Sequence, residues 1–168
     1  MPDMHHAWKA FEAADHFAQL VAPIYAEAGF VYEIWYGFSD RDEGCALDIV
    51  VRNFHRTSEK PRDEDWYDDW QRRIDAAYRR SGVSRYVRAD AGAWGKEGDW
   101  SDSAFWPDAP WFGRDTYTPS VCAKLPASMR YQVRGTNLPI AERKNLVPPG
   151  TKSIGNVHFL AARLARGG

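Results

Sequence analysis

The segments Phe30–Phe38 and Cys45–Phe54 constrain the fold of this chain more than any other feature. Both are rich in β-branched and aromatic residues, and the polar stretch Ser39–Gly44 between them reads as a turn, so they predict an antiparallel hairpin. With Phe38 opposite Cys45, one face carries Tyr32, Ile34, Tyr36, Leu47, Ile49 and Val51. The other holds Glu33, Trp35, Asp48 and Arg52. Strand side chains alternate, so a one-residue slip would exchange the two sets, and the apolar match itself selects the register. A sheet with one apolar face needs a cover.

Two amphipathic helices supply it. Helix 1 starts near His5 or His6, and Trp8, Phe11, Ala14, Phe17, Val21, Ile24, Tyr25 and Ala28 recur at three- and four-residue spacing. Pro23 has no amide proton for the carbonyl of Gln19, which predicts a kink or a break, with Gly29 ending the helical run. Helix 2 covers about Asp63–Ser81, with the stripe Trp66, Trp70, Ile74, Ala77 and Tyr78. Its first turn is acidic (Asp63, Glu64, Asp65) and its last basic (Arg79, Arg80), as the helix dipole favours, and Gly82 suits the position just past its end.

Val83–Asp90 reads as a third strand. A second hairpin sets Val121, Ala123 and Leu125 against Met129, Tyr131 and Val133 across a turn at Pro126–Ser128, with Lys124, Arg130 and Arg134 on its other face. A Pro/Gly loop over Val147–Gly150 precedes a short helix at Val157–Arg166. This order predicts a single α+β domain over residues 1–168. Its mainly antiparallel sheet of about five strands has two main helices packed on one face, and a short C-terminal helix follows.

Composition removes several functional classes. The net charge of −1 lacks the basic excess that phosphate neutralisation demands, so nucleic acid is not expected as the main partner. No apolar run approaches membrane-spanning length. Cys45 and Cys122 are the only cysteines and form no CxxC, which predicts neither a disulfide framework nor a zinc ribbon, and a reducing, cytoplasmic setting.

Motifs that suggest chemistry fail on their spacing. Around Pro148–Ser153 a phosphate loop would need a glycine before the lysine, where Thr151 stands. The turn at Asp40–Gly44 has Gly44 and Val51 where a calcium loop needs oxygen ligands. Glu12 and His16 share a helix face, but helix 2 offers no histidine to complete a metal site. Cys122 with His158 has no local nucleophile signature, and no cofactor is expected. The remaining catalytic candidates are Glu33 and Asp48, paired carboxylates on one sheet face, and His55, which has no partner close to it in sequence. Arg52 on that face favours a structural ion pair instead.

The segment Ala91–Asp115 stands apart. It holds Trp94, Trp100, Trp106 and Trp111, half of the eight tryptophans, together with Phe105 and Phe112, interleaved with glycine, proline and aspartate. No helical or strand period survives, and a long irregular loop rich in rigid aromatics suits either a lid over the sheet or a contact surface. At least one of these tryptophans is expected to be exposed, with Trp106 and Trp111, each beside a proline, the foremost candidates. The sequence therefore points to a protein-binding or assembly module, of the kind found in virions or in defence and counter-defence complexes, contacting another protein through Trp94, Trp100, Phe105, Trp106, Trp111 and Phe112. The alternatives are a small metal-assisted hydrolase or nuclease using Glu33, Asp48 and His55, and a small-ligand binder closed by the loop.

Overall fold

The computed structural model describes residues 2–56, 64–89, 109–139, 153–154 and 157–158. At its centre lies the expected hairpin, β1 (Phe30–Asp40) with β2 (Cys45–Arg56). Phe38 stands opposite Leu47 and Asp40 opposite Cys45, two residues from the expected register. A two-residue shift preserves side-chain parity, so Tyr32, Ile34, Tyr36, Leu47, Ile49 and Val51 still share one face and join the main core. The shift originates in the turn. The amide of Arg41 donates to Gly44 O at 3.0 Å, which keeps Ser39 and Asp40 within the strand. Gly44 has φ +90°, and a Cβ there would stand 1.8 Å from the carbonyl oxygen of Tyr117, so only glycine fits.

Helix α1 (Met4–Glu27) lies on that apolar face. The side chain of Asp3 caps it by accepting from the amide of His6 at 2.9 Å. Ala7, Ala10, Ala14, Phe17, Val21, Ile24 and Tyr25 point inward, the alanines allowing close approach to the sheet. Trp8 departs from its expected place in the stripe. It follows Ala7 by about 100° around the helix and is 45 % exposed. The expected break at Pro23 does not occur. Pro23 and Gln19 both lie on the solvent side, where water can satisfy the carbonyl that proline leaves without a donor. Gly29, at φ +83°, follows the helix end as anticipated.

Helix α2 (Glu64–Arg80) packs beside α1 and buries Trp70, Ile74 and Ala77. Trp70 meets Tyr25 and Phe30 edge-on, at ring distances of 5.1 and 5.4 Å, and stacks on Trp66. Gly82, at φ +78°, turns the chain out of α2. The strand expected at Val83–Asp90 is shorter. Val83–Arg85 forms a 3-10 turn and only Val87–Ala89 is strand, β3.

Strands β4 (Ala109–Gly113) and β5 (Gln132–Thr136) complete this sheet, which runs β3-β4-β2-β1-β5 with every strand pair antiparallel. The fold is α+β: a five-stranded antiparallel sheet, two major helices and a short third helix. That third helix, α3 (Pro119–Lys124), replaces the first strand of the predicted second hairpin. Thr118 caps it, its hydroxyl accepting from the amide of Val121, and Pro119 opens its first turn, where a missing donor has no cost. These end signals outweigh the alternation of Val121, Ala123 and Leu125.

Cys45 and Cys122 form a disulfide, contrary to the expectation of unpaired thiols. The topology brings α3 against the start of β2, where the bridges between Cys45 and Tyr117 already hold the two backbones together. At the chain's end, Ser153–Ile154 (β6) pairs with Val157–His158 (β7), so a strand stands where the C-terminal helix was expected to begin. Residues 159–166 of that predicted helix, and the Pro/Gly loop at Val147–Gly150, lie outside the described residues. No helix among the described residues is long and apolar enough to cross a membrane.

Candidate functional site

On the second face of the sheet, Val31, Glu33, Trp35, Ser39, Ala46, Asp48 and Val50 are all closed off from solvent. Asp48 is held here by Ser39 and Arg41. The Ser39 hydroxyl donates to Asp48 Oδ2, Arg41 Nη2 lies 2.5 Å from Asp48 Oδ1, and Arg41 Nη1 donates to Ser39 Oγ at 2.8 Å. The predicted Arg52 partnership fails for Asp48, because Arg52 stands directly opposite Glu33 in the ladder. Gly37 is the residue opposite Asp48, four positions from Glu33, so the two carboxylates are separated by about 13 Å of strand. The fold does not bring them together. His55 pairs with Val31 through its backbone, and its side chain lies outside the described residues. Among the described residues no three His, Cys, Asp or Glu side chains gather as a metal site would require.

The aromatic segment contains structure that its sequence does not announce. Ala109–Gly113 forms β4, an interior strand between β2 and β3. Gly113 fits because a Cβ there would approach Leu47 O at 2.7 Å. Trp111 points into the core, fully buried and edge-on to Phe17 with ring centroids 5.0 Å apart. Trp111 is therefore not the exposed tryptophan for which it was one of two foremost candidates. Phe112 points the other way, between the strand neighbours Asp48 and Arg88, and is 39 % exposed. Trp94, Trp100, Phe105 and Trp106 lie outside the described residues.

The basic residues of the expected second hairpin do not form one stripe. Lys124 ends α3. Arg130 donates to Cys122 O at 2.7 Å and lies 3.9 Å from Asp40. Arg134 sits over the rings of Phe11 and Tyr36 and donates to the carbonyls of Tyr36, Ser128 and Arg130. Burial holds its guanidinium below the usual arginine value.

Sequence reasoning missed two polar clusters. Asp15 accepts from the Tyr36 hydroxyl at 2.5 Å, and burial together with that carboxylate pushes the phenol well above its usual range. His6 Nδ1 is 2.8 Å from the Tyr117 hydroxyl and His6 Nε2 is 3.7 Å from Asp115, with Tyr86 edge-on to the imidazole. Burial raises the Tyr117 phenol strongly, so it remains a neutral anchor rather than a nucleophile. Pairings that span 21 and 111 positions leave no local pattern to read. No protein-family model, curated protein or solved structure matches the chain.

Proposed function

We propose that the protein is a binding module that contacts another protein through an aromatic surface centred on Phe112. The observation that carries this reading is the exposure of Phe112 on an interior strand whose neighbours on the same face, Asp48 and Val50, are buried. An aromatic ring fixed on a rigid strand loses little entropy on association, which is how hot-spot anchors act. Trp8, the other large hydrophobic exposed among the described residues, offers a second anchor on α1. The hydrolase alternative draws no support from Glu33 and Asp48, which stand four strand positions apart and do not converge.

The test is capture of partners from the native lysate with wild type, Phe112→Ala and Trp8→Ala. Loss of a discrete partner with Phe112→Ala, at unchanged melting temperature, supports the reading. Identical capture by all three proteins removes it. Cellular placement is a separate proposal. A cytoplasmic protein should carry Cys45 and Cys122 as thiols, whereas an oxidising compartment keeps them joined, and thiol counting on protein from its native cell decides between the two.

A further inference from the structure

A cleft of about 290 Å³ lies between α1 and the turn that follows α2. Lys9, Glu12, Ala13 and His16 form one wall, and Ser81, Gly82, Arg85 and Tyr86 the other. Its charge is unbalanced: Lys9, Arg85 and the titratable His16 face a single carboxylate, Glu12. Among the described residues, the side chains of Lys9, His16 and Arg85 and the hydroxyl of Tyr86 have no hydrogen-bond or ion-pair partner within the chain. The neighbouring Arg79 and Arg80, at the end of α2, likewise carry no ion pair. Gly82 leaves the wall open, since a Cβ added to it would meet nothing within 4 Å.

The other described cleft differs. It is lined by Asp40, Arg41, Asp42 and Arg130, with acids and bases in equal number. Both of its arginines are already engaged, Arg41 by Asp48 and Arg130 by Cys122 O and Asp40.

We propose that the cleft between α1 and the turn after α2 binds the phosphoryl group of a small phosphomonoester. Arg85 brings a planar fork of donors, Lys9 a compact cation and Tyr86 a hydroxyl, which together reach several oxygens of a tetrahedral dianion. A planar carboxylate would use only part of this set. The cleft stands at the lower end of the roughly 300–1,000 Å³ typical of small-molecule sites, so it suits one phosphoryl group with a small substituent. Glu12 opposes the anion and limits its affinity.

The experiment is a titration with phenyl phosphate at low ionic strength, following the imidazole proton resonances of His16 by NMR, with benzoate as the planar control. Wild type should show saturable shifts at His16, and benzoate should bind at least about tenfold more weakly, as the loss of a charge-assisted contact implies. Arg85→Gln should weaken phenyl phosphate by about tenfold or more, and Glu12→Gln should tighten it. Arg85 and Glu12 have exposed side chains, so both variants should melt with wild type. Shifts that never saturate, an Arg85→Gln variant that binds like wild type, or equal affinity for benzoate would overturn the proposal.

Discussion

Cys45 and Cys122 are joined through their Sγ atoms with Cα atoms 6.1 Å apart, fastening the first residue of β2 to α3 across 77 positions of chain. Closing so long a loop removes much of the unfolded chain's freedom, and the bond should contribute about 2–5 kcal/mol. Urea unfolding with and without a reductant measures it. Reduction should lower the midpoint, and the Cys45→Ser/Cys122→Ser variant should match the reduced protein.

The tryptophans should separate by burial. Trp70→Ala and Trp111→Ala each remove a ring from the packed core and should cost about 3–5 kcal/mol. Trp8→Ala, at a surface position, should change stability by no more than about 0.5 kcal/mol. Chemical denaturation of the three variants gives the comparison, and equal losses would contradict the packing described here.

Asp48 and Arg41 should behave as a coupled pair. Removing either leaves its partner incompletely satisfied beside the buried Ser39, so Asp48→Asn should cost about 1.5–3 kcal/mol. A double-mutant cycle with Arg41→Gln should show a coupling above about 0.5 kcal/mol. Independent, additive effects would mean that the contact contributes nothing to folding.

The phenols of Tyr36 and Tyr117 are raised in the folded protein, chiefly by burial. A raised acid favours the folded state fully below its unfolded value near 10. That contribution is lost as pH climbs from there toward the folded value. Stability should therefore fall at strongly alkaline pH, and absorbance titration should show these two tyrosines ionising only as the protein unfolds. Tyr36→Phe should titrate with one fewer late phenol.

Sequence patterning foretold α1, the central hairpin and α2, because each carries its signal within a short window. The hairpin faces survived a register error because a shift from Phe38–Cys45 to Phe38–Leu47 conserves parity. The pattern failed where tertiary contacts decide. Ala109–Gly113 contains proline and glycine and becomes a strand only through pairing with β2 and β3. The alternation of Val121, Ala123 and Leu125 concealed a helix that Thr118 and Pro119 did announce. The candidate site was legible only in outline. Composition marked Ala91–Asp115 as unusual, but period alone did not tell which ring turns inward, and Trp111 fills the core while its neighbour Phe112 faces out. Lys9, His16 and Arg85 are dispersed in sequence, and the cleft they line arises only when the turn after α2 meets α1.

If Phe112 anchors a protein partner, a photo-crosslinking residue placed at position 112 should capture that partner. Irradiation in the native lysate should attach one discrete protein, while the same probe at Asp75, exposed on α2, attaches none. Excess unlabelled wild type should suppress the adduct, and excess Phe112→Ala should do so far less, since an aromatic anchor is worth roughly 2 kcal/mol or more, about thirtyfold in affinity. An absence of adduct at position 112, or equal labelling at positions 112 and 75, would mean that Phe112 anchors no partner.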